Sequence, residues 1–115
     1  MFYDISKCKI FVKPGSTDFR KQINGLSIIV QEQMQLNPLD NNLYIFCNKS
    51  RNRLKVLYWD RNGFCLWFKR LELDKFAWPQ NLEEALEIDE TKLRMLLDGI
   101  DFWKAHREIK FSEIA

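Results

Sequence analysis

Between Cys8 and Val12 polar and apolar residues alternate until Pro14-Gly15 stops the run, which predicts a short strand followed by a turn. After the turn the period changes. Phe19, Ile23, Leu26, Ile29, Val30 and Met34 recur at three- and four-residue intervals, and Ser16, Thr17 and Asp18 all suit a helix N-cap. The spacing predicts a long helix from about Phe19 to Gln35. Gly25 inside it costs about 1 kcal/mol relative to alanine, a cost that close packing would explain. Asn37-Pro38 and Asp40-Asn41-Asn42 then break the pattern into a loop.

In the middle of the chain Leu43 to Cys47, Leu54 to Trp59 and Phe64 to Phe68 are dense in aromatic and branched residues, the composition of strands. Residues 48–53 connect the first two runs, and Asp60-Arg61-Asn62-Gly63 connects the second pair. Asn-Gly between two aromatic-rich runs is a strong hairpin signal, so a three-stranded antiparallel meander is expected. Phe76 to Pro79 adds a short extended piece. Glu83 to Glu87 fits one helical turn. Asp89 caps a helix from Glu90 to Leu97, with Leu93, Leu96 and Leu97 on one face and Gly99 at its stop. The expected fold class is α+β: a small antiparallel sheet, a β-meander of three or more strands, packed against one long N-terminal helix and a short C-terminal helix.

Alternation along the strands assigns their faces. Lys55, Leu57 and Trp59 point opposite to Leu54, Val56 and Tyr58; Cys65, Trp67 and Lys69 point opposite to Phe64, Leu66, Phe68 and Arg70. Grouping Leu54, Val56 and Tyr58 with Phe64, Leu66 and Phe68 gives a core face for the helix. Lys55, Trp59, Trp67 and Lys69 then share the other face. That second group is either a nucleic-acid surface or a further core layer over which the lysines snorkel.

The 115 residues fit a single domain, 1–115, that buries roughly two-thirds of its unfolded surface. At 46% hydrophobic residues the chain is not disordered, and no apolar run approaches the ~20 residues of a membrane span. The first ten residues carry Asp4, Lys7 and Lys9 and no signal-peptide stretch, so a cytoplasmic protein without membrane association is expected. Cys8, Cys47 and Cys65 are odd in number and widely spaced. They read as thiols in a reducing compartment, not as a disulfide framework or, with His106 the sole histidine, a metal site.

The net charge of +2 conceals a division. Residues 44–71 carry seven cations against Asp60 alone, and residues 72–101 carry nine acids against three cations. Such a split suggests either a nucleic-acid face or internal pairing between the two segments. Lys49, Arg51 and Arg53, with Lys55 beside them, crowd one hairpin tip without an acid. That tip either grips phosphates or is an ordinary solvated turn. Arg20 and Lys21 would sit in the first turn of the long helix, where the macrodipole disfavours each by roughly 0.3–1 kcal/mol. A bound phosphate, an acidic partner or an arginine bent back onto its own chain would each resolve this.

Catalytic signals are absent. The chain has no phosphate-cradling glycine loop, no G-x-S-x-G and no H-E-x-x-H. Asp4, Asp18, Asp60 and Glu72 could converge as a metal-binding nuclease centre, but no spacing demands it. No enzymatic activity, metal or cofactor is expected.

Several motifs are collinear with a known family. Gly15-Ser16-Thr17-Asp18-Phe19-Arg20-Lys21, with Gly25-Leu26, resembles the G-x-T-D-M-R-K…G-L opening of the accessory protein of insertion-sequence-66-type bacterial transposons, there called TnpB. Leu54 to Asp60, Gly63, Lys69-Arg70-Leu71-Glu72 and Phe76-Ala77-Trp78-Pro79 are similar to its K-x-L-x-W-D…G…K-R-L-E…F-x-W-P signature. Leu96 to Asp101 is similar to its L-L-x-G-I-D ending. The resemblance covers about residues 8–102 and leaves 103–115 as a tail. Two positions depart: Ser50-Arg51-Asn52-Arg53 stands where the family usually has R-R-G-D, and Asp101-Phe102-Trp103 where I-D-W is common. The larger RNA-guided nucleases that share the label TnpB are unrelated.

The resemblance implies a small protein encoded beside a separate DDE-type transposase and needed for efficient transposition, with no catalytic residue of its own. Two functions fit. In the first, the chain binds DNA at transposon ends through Arg20, Lys21, Lys49, Arg51, Arg53 and Lys55, then Arg61, Lys69 and Arg70, with Trp59 and Trp67 as stacking platforms. In the second it is an interaction module that docks on the transposase through the acidic segment, or self-associates as a homodimer.

Overall fold

The computed structural model describes residues 5–80 and 84–101. After a single 3-10 turn, Ile5–Lys7, the elements are β1 (Lys9–Val12), α1 (Ile23–Glu32), β2 (Asn42–Cys47), β3 (Arg53–Asp60), β4 (Gly63–Arg70), β5 (Leu86–Ile88) and α2 (Glu90–Leu97). The strands form one sheet in the order β4-β3-β2-β1-β5.

The meander of β2, β3 and β4 is present, with Tyr44 opposite Leu57 and Asp60 opposite Gly63. It is part of a larger and mixed sheet, which corrects the small antiparallel sheet expected from sequence. β1 runs parallel to β2, with Ile10 opposite Leu43, because the chain between them crosses over through α1. Parallel neighbours require a crossover of that length, whereas antiparallel ones close through a tight turn. β5 pairs antiparallel with β1 on its other side, Phe11 opposite Glu87. The predicted helical turn at 83–87 is thus overturned at Leu86 and Glu87, which are strand; Glu83 lies outside the described residues.

The long N-terminal helix is also overturned. α1 spans ten residues and begins at Ile23, after an N-cap, Gln22, whose side chain makes no capping bond. The local reason lies in how the preceding carbonyls and carboxylate are used. Lys55 Nζ donates to the carbonyls of Phe19 and Lys21, groups that a longer helix would pair with Ile23 and Gly25. Asp18, meanwhile, accepts from the backbone and guanidinium of Arg20 instead of capping a helix. α2 does match its expectation: Asp89 accepts from the Lys92 backbone at 2.8 Å, and Gly99 takes a left-handed φ of 79° past the helix end.

Both faces of the sheet are covered. α1 presents Leu26, Ile29 and Val30, and Met34 follows just past its end; together they pack on Tyr44, Phe46 and Leu57. On the other face Leu93 and Leu96 of α2 join Phe76 and Trp78 over Val12, Ile45, Leu54 and Val56. Trp78 Nε1 donates to the carbonyls of Lys13 and Gly15, and Gly15 donates its backbone N–H to Pro79, so the 76–79 segment is a strap without strand pairing.

The strand register corrects the expected grouping of faces. Lys55 lies opposite Phe68, Val56 opposite Trp67, and Leu54 opposite Lys69. Directly opposed residues share a face. Lys55 and Trp59 therefore lie on the α1 face with Phe64, Leu66 and Phe68, and Trp67 and Lys69 lie on the α2 face. Phe102, Trp103, His106 and the predicted tail 103–115 fall outside the described residues.

Candidate nucleic-acid interface

The β2–β3 tip is ordered by one asparagine. Asn48 Oδ1 accepts from the backbone N–H groups of Asn52 and Arg53, at 3.0 and 2.9 Å, and its amide nitrogen donates to Asn52 Oδ1. Arg51 takes a left-handed φ of 61°, and its carbonyl accepts from Phe76 N–H at 2.6 Å. A short loop with satisfied backbone thus projects Lys49, Arg51 and Arg53, all exposed and without an ion-pair partner among the described residues.

Arg53 stands directly opposite Arg70 at the end of the β3–β4 ladder. Like charges so placed repel, and Arg70 leans away to Glu72 at 3.0 Å. That pair joins the basic segment to the acidic one. Elsewhere in the acidic segment Glu90 pairs with Arg94 along α2, and Asp89 is spent as a cap.

Beside Arg53 a groove of about 360 Å³ opens on the α1 face, lined by Phe19, Gln22, Arg53, Lys55, Leu66 and Phe68. Phe68 is 50% exposed. Lys55 is only 5% exposed and cannot serve as a free cation there. Its ammonium lies 4.8 Å from the centre of the Phe19 ring and bonds two carbonyls, and burial lowers its pKa. Lys55 therefore fixes the groove wall.

The remaining predicted residues divide by environment. Lys21 has no ion-pair partner among the described residues, and its stem crosses Gly25, where an added Cβ would stand 3.0 Å from Lys21 Cβ. Arg20 forms a bidentate pair with Asp18, 2.6 Å at the closest. That hydrogen bonding holds the Asp18 carboxyl down at about 2. Lys69 Nζ donates at 3.0 Å to the carbonyl of Leu97, the last residue of α2, where a cation suits the helix dipole. Trp59 packs edge-on against Phe64 at 5.0 Å, and Trp67 is half-buried against the α2-side core. Arg61, 3.8 Å from Asp60, is in the β3–β4 turn, about 24 Å along β3 from Arg53.

Of the predicted cations and tryptophans, Lys21, Lys49, Arg51, Arg53 and Arg70 gather at one end of the sheet. Lys55 and Lys69 serve the fold, and Trp59, Trp67 and Arg61 lie elsewhere. Sequence reasoning missed Phe19, Gln22 and Phe68 as groove residues. The pairing of Asp60 with Gly63 is the signal that places Phe68 opposite Lys55.

No group of three or more histidine, cysteine, aspartate or glutamate side chains suited to a metal ion occurs among the described residues. Of the four carboxylates considered for a nuclease centre, Asp18, Asp60 and Glu72 are each within ion-pair distance of an arginine, and Asp4 lies outside the described residues.

A comparison with family models agrees with the motif order: the model for IS66 Orf2-like proteins matches residues 8–107. The chain belongs to that family. Two relatives come from Sinorhizobium fredii (strain NBRC 101917 / NGR234), both named only as uncharacterized proteins. One, y4hO, is 40% identical over 100 residues, covering 87% of this chain and 86% of the relative. The other, y4jC, is 31% identical with the same coverage. No solved structure matches the chain. For this IS66 Orf2-like protein, a transposon-associated accessory role follows from the family. No described helix is long and apolar enough to cross a membrane.

Proposed function

We propose that this IS66 Orf2-like protein is a non-catalytic, cytoplasmic helper of transposition that binds DNA and acts with the transposase of its element. The observation that supports this reading is the β2–β3 tip, where Lys49, Arg51 and Arg53 have no ion-pair partner among the described residues and Arg53 also lines an aromatic-walled groove. Phosphates are bound through released counterions, so each neutralised phosphate steepens the fall of affinity with salt by about 0.9 on a log–log scale. A gel-shift assay at two salt concentrations tests it. Affinity should drop steeply as salt rises, and the combined Lys49→Ala, Arg51→Ala and Arg53→Ala variant should flatten the slope by about 3. Absence of binding at low salt, or an unaltered slope in the variant, refutes it.

A second reading has its own observation. Leu73 is 96% exposed between Glu72 and Asp74, at the start of the acidic segment, a place where a protein partner would bury apolar area. If the chain docks on the transposase there, co-purification should survive nuclease treatment and fall with Leu73→Asp. A partner released by nuclease assigns the association to shared DNA instead.

A further inference from the structure

We propose that the groove between Phe68 and the Phe19–Gln22 turn holds an unpaired DNA base, giving the protein a preference for single-stranded or frayed DNA over continuous duplex. This inference rests on the DNA-binding reading and goes one step beyond it, from charge to the structure of the bound strand.

The starting point is Phe68, which is half-exposed although Phe64 and Leu66, on the same face of the same strand, pack against the core beneath α1. α1 starts only at Ile23, so the end of β4 is left uncovered. The phenylalanine at that uncovered end leaves half its surface to solvent, opposite Lys55 in the ladder. The Lys55 ammonium also lies 4.8 Å from the centre of the Phe19 ring, and it holds that segment by bonding the Phe19 and Lys21 carbonyls at 3.1 and 3.0 Å. Both phenyl groups thus line one groove, and the lysine that lines it with them already bonds two carbonyls.

The rim supplies the other half of a nucleotide site. Arg53 lines the groove itself, and Arg70, paired with Glu72, stands opposite it in the ladder. A nucleotide offers one charged and one flat aromatic part, and the groove meets both within a few residues. Duplex DNA presents phosphates to the rim equally well. Its base faces, however, are covered by their stacked neighbours, so the phenyl walls gain nothing from it. Away from duplex ends, only an unpaired base can place its face on Phe68. Stacking of that kind changes affinity roughly 5- to 150-fold when the aromatic residue is removed.

The larger depression, about 550 Å³ between the start of β1 and the Asp40–Asn42 loop, is lined by polar side chains and Cys8 with no aromatic wall, and supports no comparable site.

The test uses the full chain and one fluorescent oligonucleotide in three forms: single strand, blunt duplex, and duplex with a single-stranded overhang. At a fixed salt concentration anisotropy should give tighter binding to the single strand and the overhang than to the blunt duplex. Phe68→Leu keeps the apolar bulk but loses the π face, and should weaken single-strand binding roughly 5- to 150-fold, leaving duplex binding unchanged. Phe68→Trp should retain the preference, which guards against a general folding defect. Equal affinity for single strand and blunt duplex, or a Phe68→Leu variant indistinguishable from the parent, overturns this inference and leaves the DNA-binding reading standing. Failure to bind any of the three forms at low salt overturns both.

Discussion

The ammonium of Lys55 lies 3.0 Å from the carbonyl oxygen of Lys21, so a cation buried in the sheet engages a carbonyl that a longer α1 would use. Residues 19–22 have helical spacing in sequence, yet two of the carbonyls they would need are already occupied. Replacing Lys55 with methionine keeps the stem but removes the donor. The loss should destabilise the fold by about 1–3 kcal/mol, read from urea unfolding. The freed carbonyls should also let α1 extend toward Phe19, visible as helical backbone chemical shifts at residues 19–22. Unchanged shifts in a folded variant would show that Lys55 does not set the helix start.

The same segment gives the protein an acid-sensitive contact. Hydrogen bonding to Arg20 holds the Asp18 carboxyl at about 2, below its usual 3.8. A carboxyl depressed on folding contributes stability above its unfolded value, and that contribution fades as the pH falls toward the folded one. The Asp18–Arg20 contribution is therefore complete at neutral pH and is lost between about pH 4 and pH 2. Asp18→Asn should flatten the acid limb of the stability profile in that window. Because the pair is exposed, added salt should reduce the effect. A variant whose acid limb overlays that of the parent contradicts this assignment.

The meander was legible because its contacts are local: Asn62-Gly63 between aromatic runs dictates a hairpin. What escaped is non-local. Nothing within Cys8 to Val12 says that it will lie parallel to β2, or that Leu86–Ile88 will pair with its other edge. The candidate site suffered from a different blindness. Alternation assigns faces within a strand, but which faces of two strands coincide depends on register, and a register shift of one residue reverses the grouping. With Asp60 opposite Gly63, Trp67 and Lys69 leave the face that carries Lys55 and Trp59. Charge counting likewise sees a lysine but not its carbonyl partner, so Lys55 and Lys69 counted as nucleic-acid ligands.

That distinction can be measured. Lys69 holds the C-terminal carbonyl of α2, whereas Lys49 and Arg51 make no ion pair among the described residues. Lys69→Ala should cost about 1 kcal/mol of stability, half-buried as it is, and leave DNA affinity unchanged. Lys49→Ala and Arg51→Ala should leave the melting temperature unchanged and weaken DNA binding. A reversal of the two patterns would remove the structural role assigned to Lys69.

Gly25 tests how tightly Lys21 is held. Alanine there should gain about 1 kcal/mol of helix propensity. Its new Cβ, however, would approach Lys21 Cβ at 3.0 Å and Cγ at 3.1 Å, closer than such atoms ordinarily pack. Lys21 cannot retreat freely, since its carbonyl is bound by Lys55, so the crowding must be relieved by displacing the stem outward. The two effects oppose each other. Gly25→Ala should therefore melt close to the parent instead of gaining the full propensity, with altered chemical shifts at the Lys21 side chain and weakened DNA binding on that side of the groove. The double variant Gly25→Ala with Lys21→Ala keeps the Cβ at position 21 but removes the rest of the stem, so part of the helix gain should return. If the single variant alone is already stabilised by about 1 kcal/mol, the contact is too loose for the glycine to be explained by Lys21.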